Sequence, residues 1–235
     1  MSQKISKKND PTTHPVDIGK AQQAWNGSFG RDYTKRNEYT FENTDQLYSD
    51  LYGITRSSLN HSFLGNLPKD IKILEIGTNI GSQLHLLDKM GFTALHGIEI
   101  QAYALEKAKQ NLPGADLRQA PATEVPFPDH YFDLVFTSGV LIHIPPTEIP
   151  KVMLEIIRCS RKWVWGFEYF SEHPVEIPYH GHSGLMWKRD FCQLFLDAAP
   201  GSKAMHRQKI PYLSDQNIDE MYMIDLSPES TNSLP

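Results

Sequence analysis

The rhythm of polar and apolar positions changes near Pro68. From Asp17 to Asn66 the chain reads as helical and polar, with Trp25, Phe29, Tyr33, Tyr39, Phe41, Tyr48 and Tyr52 spread through it. Asn43 or Thr44 can cap a helix running through Leu47, Leu51, Ile54 and Leu59. That is too little apolar surface for an independent core, so residues 19–66 are expected to dock as a lid or flank, with Pro68-Lys69-Asp70 as the join. Beyond it, short β-rich runs alternate with helical stretches. Ile71 to Ile76 predicts a strand, followed by a helix carrying Leu84, Leu87 and Met90. Ala94 to Ile100 predicts a second strand, then a helix from Gln101 to Leu112. Asp116 to Ala120 and Tyr131 to Thr137 are the third and fourth strands. A helix with Ile149, Met153, Ile156 and Ile157 on one face leads to a fifth, Trp163 to Tyr169. This alternation predicts βαβ units and a parallel sheet with right-handed crossovers. After a helix from about Trp187 to Ala198, Lys203 to Tyr212 and Ile218 to Leu226 predict two strands joined by a loop.

Composition narrows the classes. With 235 residues, 23 basic against 28 acidic, the chain has a formal charge of −5 and offers no broad positive field for a phosphate backbone. Nucleic acid is therefore excluded as a first choice of partner. No apolar run approaches the roughly 20 residues of a membrane span. Lys4, Lys7 and Lys8 form a small basic cluster without the apolar stretch of a signal peptide, so residues 1–18 are expected to be a flexible tail, as are 229–235. Cys159 and Cys192 form neither a C-x-x-C pair nor a disulfide framework, which fits a reducing cytoplasm and two plain core residues.

The segment Leu74-Glu75-Ile76-Gly77-Thr78-Asn79-Ile80-Gly81 falls where the first strand turns into the first helix. Open α/β sheets bind ligands at the carboxyl ends of their strands, and glycine there lets backbone approach the ligand. A dinucleotide fingerprint needs G-x-G-x-x-G, and this segment has G-x-x-x-G behind an acidic residue. A P-loop needs a lysine after the last glycine, and none follows Gly81. Glu75 would repel a pyrophosphate but suits a cationic ligand. Glu99 ends the second strand, where a carboxylate can accept both hydroxyls of a ribose. Taken singly, these remain a structural turn and a solvated strand end.

Together with Pro126-Phe127-Pro128, Phe132-Asp133-Leu134-Val135 and Leu141-Ile142-His143, these residues resemble class I S-adenosylmethionine (SAM) dependent methyltransferases. The resemblance implies an α/β fold, a Rossmann-like seven-stranded sheet over 67–228 with a helical N-terminal lid, and SAM as cosubstrate. It further implies that Gly77, Thr78 and Asn79 hold the methionyl end, Glu99 the ribose, Ile100 one adenine face, and Ala122 and Thr123 the adenine edge, with Ser138 and Gly139 flooring the pocket. Asn79 stands where the family often has glycine, and Pro121 where an acidic residue is common. A narrower resemblance lies at the two ends. Trp25-Asn26-Gly27, Asp32-Tyr33-Thr34, Arg36-Asn37, Glu168-Tyr169-Phe170, Glu176 to Tyr179 and Lys188 to Phe191 look like the pseudaminic acid biosynthesis-associated methylases, a clade similar to enzymes that cyclise SAM to azetidine-2-carboxylate.

A sulfonium favours aromatic faces, which attract the charge without offering a competing nucleophile. Tyr33 and Tyr179, flanked by polar residues, are the better candidates for such a wall, whereas Trp163 and Trp165 share a strand face and read as core. Arg36 can pair with the SAM carboxylate or form a surface ion pair. His143 can act as a general base near neutral pH, or serve as a capping or core histidine. Tyr179, His180 and His182 form a polar loop cluster too small for a metal site. The expected function is methyl transfer from SAM to a small polar metabolite, with His143, Tyr179 and Gly139 nearest the chemistry and the N-terminal helices closing over it. Cyclisation of SAM with release of methylthioadenosine, and a non-catalytic SAM-binding partner protein, remain alternatives. Monomer and homodimer stay equally open.

Overall fold

The apolar runs of the second part of the chain lie side by side in one sheet. In the computed structural model, which describes residues 18–38, 40–179, 181 and 183–227, the strands are β1 (Lys72–Ile76), β2 (Ala94–Glu99), β3 (Asp116–Gln119), β4 (Phe132–Ser138) and β5 (Ser160–Tyr169). A short pair follows, β6 (Val175–Glu176) with β7 (Trp187–Lys188), and then β8 (Lys203–Pro211) and β9 (Ile218–Asp225). The seven-stranded order is β3-β2-β1-β4-β5-β9-β8, with β9 antiparallel to both neighbours and the other pairings parallel. The expected Rossmann-like α/β fold is what the chain adopts. Tyr39, His180, His182, the basic cluster at Lys4, Lys7 and Lys8, and residues 228–235 lie outside the described residues.

Alternation along the strands builds two cores. Leu74, Ile76, Val135, Val164 and Ile224 face one side, against α7 (Ile149–Cys159) and α8 (Phe191–Ala198). Ile73, Leu134, Phe136, Trp165 and Met223 face the other, against α5 (Ser82–Lys89) and α6 (Ala102–Asn111). Trp165 is buried core, as its strand position implies. Cys159 and Cys192 are buried within α7 and α8, and burial pushes their thiols up to about 11 and about 12, so both are inert at neutral pH.

The first part of the chain is helical: α1 (Ile18–Asn26), α2 (Ser28–Asn37), α3 (Thr40–Tyr52) and α4 (Arg56–Leu64). One continuous helix from Asn43 or Thr44 to Leu59 is not what forms. Asn43 lies inside α3 with non-helical angles, and the chain breaks at Gly53, whose φ of +73° suits glycine. A new helix then starts behind Thr55, whose side chain accepts from Ser58 N at 3.0 Å. The helix expected from Trp187 is also shorter. Trp187 and Lys188 pair with Glu176 and Val175, and α8 begins only after Asp190, whose Oδ1 accepts from Gln193 N. The apolar period there continued through an N-cap that stops it. Among the described residues no helix is long and apolar enough to cross a membrane.

Candidate active site

Strand order reverses direction on either side of β1, and a crevice opens at the carboxyl edge at such a point. It holds a cavity of about 410 Å³, within the range of small-molecule sites. At its centre β1 runs into Gly77, whose φ is +73° and whose backbone N donates to Ile98 O at 2.8 Å. A Cβ on Gly77 would stand 2.7 Å from Val140 Cγ2, so only glycine lets this turn sit against the start of the next loop. Thr78 N donates to the same carbonyl, and its hydroxyl donates to Glu75 Oε2 at 2.8 Å.

Glu99 stands where β2 ends. Its Oε2 accepts from Asn79 N and its Oε1 from Gln101 N, each at 2.8 Å. Two amides thus fix the carboxylate and leave one acceptor site on each oxygen, the arrangement a vicinal diol requires. Ile100, Ala122 and Thr123 line the same end of the cavity. Ser138, at the end of β4, hydrogen-bonds Tyr48, and the Gly139 N donates to Phe167 O; nothing lies within 4 Å of where a Gly139 Cβ would be, so the floor stays open.

The N-terminal helices cover this edge. Thr34, buried in α2, places its hydroxyl 3.1 Å from Asn79 Oδ1, and Gln101 Nε2 donates to Gly27 O at 3.2 Å. The Trp25 ring packs against Phe29, Tyr33 and His143, with centroids 5.1, 5.3 and 4.5 Å away. The His143 ring also meets Tyr179 at 5.1 Å. His143 Nδ1 lies 2.9 Å from Leu185 O, which fixes the tautomer with the proton on Nδ1 and leaves Nε2 an acceptor. Burial brings its pKa down to about 4, so the ring is neutral at pH 7 and a far weaker base than general-base catalysis near neutrality requires. Burial likewise raises the Tyr33 and Tyr179 hydroxyls.

Every residue that the sequence assigned to the cofactor or the chemistry lines this cavity except Arg36, which is exposed and acts on it through its charge near Tyr179. The cavity also extends further than sequence indicated. Beyond Gly139 its wall continues through Tyr48, Tyr52, Tyr169, Tyr212, Glu168 and Asp219. Glu168 is buried and takes Val140 N at 3.1 Å. Asp219 Oδ2 accepts from the Tyr52 hydroxyl and, at 3.1 Å, from that of Tyr212. The available sequence signal for Asp219 was a pair of acids, Asp219-Glu220, opening a strand whose centre, Met221 to Ile224, is apolar.

Electrostatics follow from burial. Desolvation raises Glu75 to about 8, Glu168 and Asp219 to about 7, and Glu99 as well, with the nearby Arg56 guanidinium pulling Glu75 and Asp219 back down. No Lys or Arg lines the cavity among the described residues. The wall therefore disfavours phosphates and favours a cation, whose arrival restores the carboxylate charges.

Residues 74–163 match the methyltransferase domain family model. A Haemophilus influenzae protein is 29% identical over 100 residues, 40% of this chain and 40% of its own length. Sterol methyltransferase-like 3 of Botryococcus braunii is 29% identical over 101 residues, 40% of this chain but 25% of its own. The chain thus spans less than half the length of these relatives. In fold it is similar to the 1,6-didemethyltoxoflavin-N1-methyltransferase of Burkholderia thailandensis, solved with 1,6-didemethyltoxoflavin and S-adenosylhomocysteine bound; the TM-score is 0.68, at 15% identity, over 93% of this chain and 92% of that one.

Proposed function

We propose that this chain is a SAM-dependent enzyme of the class I methyltransferase type that moves a methyl group to a small polar acceptor. The observation that carries the reading is the Glu99 carboxylate, clamped by Asn79 N and Gln101 N beside the Gly77 turn, in a cavity whose wall is acidic and aromatic. Those features fit a nucleoside that ends in a cationic amino acid. Bound there, SAM supplies an electrophilic methyl group on sulfur. Glu99 accepts the ribose hydroxyls, Ile100 packs on the adenine, and the Ala122-Thr123 backbone meets its edge. Gly77 to Asn79 hold the methionyl end, with Glu75 beneath it. Trp25, Tyr33, His143 and Tyr179 exclude water from the methyl, a condition that strengthens charge interactions at the reacting atoms.

The acceptor half of the site is the stretch from Gly139 to Asp219. Closure of SAM on itself would use no such space, and this favours transfer to a second molecule over cyclisation. The likeness of the chain's two ends to the pseudaminic acid biosynthesis-associated methylases agrees with a small polar metabolite as acceptor.

The test is to incubate the pure protein with SAM alone and then with sets of small amines and hydroxylated metabolites, and to identify the nucleoside released. S-adenosylhomocysteine formed only when an acceptor is added supports methyl transfer. Methylthioadenosine from SAM alone replaces it by cyclisation, and bound but unchanged SAM throughout replaces it by a non-catalytic role.

A further inference from the structure

Asp219 is the outlying acid of the cavity. The residue is 2% exposed, lies at the start of β9 in register with Tyr169, and lines the cavity wall. Its Oδ2 is satisfied twice, by Tyr52 and Tyr212. Its Oδ1 is fully buried and has no hydrogen-bond partner among the described residues. A buried carboxylate oxygen without a partner is costly, so a cationic donor that restores the charge fits there.

Position decides which ligand brings that donor. Glu99 and Asp219 sit on opposite sides of β1 along the sheet edge. Three strand spacings, roughly 14 Å, separate β1 from β9, and Glu99 lies one strand the other way. A nucleoside gripped at Glu99 therefore has its far end near Gly77 and Gly139, and Asp219 faces whatever lies beyond.

The surroundings decide the donor's charge. The rings of Tyr48, Tyr52, Tyr169 and Tyr212 surround this end, and ring faces attract cations. Glu168 adds a second carboxyl. Two cations act on Asp219 from behind the wall: Arg56, whose Nε and Nη1 are held by Asn60 Oδ1 and the Tyr48 hydroxyl at 2.8 and 3.0 Å while its buried Nη2 has no partner among the described residues, and Lys188, held by Asn217 Oδ1 and the Tyr169 ring. Neither lines the cavity.

We propose that the second substrate carries a protonated amine, and that this ammonium is anchored on Asp219 Oδ1 within the cage of Tyr48, Tyr52, Tyr169 and Tyr212. The inference rests on the methyl-transfer reading of the same cavity and assigns Asp219 a binding role, with the methylated atom elsewhere on the acceptor.

The probe is a matched pair, benzylammonium and benzyl alcohol, titrated by calorimetry into protein saturated with S-adenosylhomocysteine. The wild type is expected to bind benzylammonium at least tenfold more tightly than the alcohol. Asp219→Asn is expected to lose that tenfold while holding S-adenosylhomocysteine within twofold of wild type. Equal affinity for the two probes, or none for either, overturns the proposal on the wild type alone, whether or not the variant folds. A parallel loss of S-adenosylhomocysteine affinity in a folded Asp219→Asn also overturns it, because Asp219 then serves the cosubstrate's own amino group. Absence of S-adenosylhomocysteine binding to the wild type is a separate result that sinks the cofactor reading; the probe preference is then read on the protein alone.

Discussion

Glu99 accepts one amide on each oxygen, so its remaining capacity matches two hydroxyls. Hydrogen bonds to a charged acceptor contribute roughly 1.5–3 kcal/mol each. Glu99→Ala is accordingly expected to weaken S-adenosylhomocysteine by about 100-fold or more, measured by calorimetry on folded protein. Unchanged affinity removes the ribose assignment. His143 makes the opposite kind of prediction. Its ring is held neutral, with a pKa brought down to about 4, so it has no proton to exchange near neutrality. His143→Gln is expected to leave the shape of the rate profile between pH 6 and 9 as it is in the wild type; a lost limb near pH 6.5 would restore the general base. The choice between base and buried histidine was open in the sequence because His143 and Leu185 lie 42 positions apart, and only folding brings the carbonyl to Nδ1.

Elements carry constraints that no single side chain shows. β5 and β9 pair with Gly166 opposite Tyr222, and the buried Tyr222 ring lies over the glycine. A Cβ there would stand 2.1 Å from Tyr222 Cζ, far inside contact distance. Overpacking of this kind costs about 1–3 kcal/mol. Gly166→Ala is therefore expected to lower the melting temperature by several degrees, at about 2–4 °C per kcal/mol in a chain of this length. Calorimetric scanning checks it, and an unchanged midpoint would show that the strands shift to make room. Helix boundaries obeyed the same logic of local overrides: the Asp190 cap cut short a helix whose apolar spacing ran back to Trp187, and Gly53 divided one expected helix into two.

At the scale of the whole molecule, buried acids couple stability to pH. Glu75 rises from 4.5 to about 8, Glu168 from 4.5 to about 7 and Asp219 from 3.8 to about 7, all by burial. The folded chain keeps these protons where the unfolded chain has lost them. Their contribution is complete below the unfolded values and is lost as pH climbs through the folded ones. His143 works the other way, its share complete above 6.5 and lost as pH falls toward about 4. Above pH 6.5 the carboxylates act alone among these groups, at about 1.4 kcal/mol per proton per pH unit. The ligand-free melting temperature is expected to fall by several degrees from pH 6.5 to 8.5, and Glu75→Gln to reduce that slope; a flat or rising midpoint contradicts the burial of these charges. The sequence by itself determined the sheet, its crossovers and the Gly77 and Glu99 end of the cavity. Period, turn chemistry and capping are local, and those residues sit where strands meet helices. The tertiary structure alone decided the far end. Tyr52, Tyr212 and Asp219 come from α3, the loop just after β8, and β9, and their grouping depends on β9 inserting between β5 and β8 and on α3 lying across that edge, contacts that no local pattern encodes.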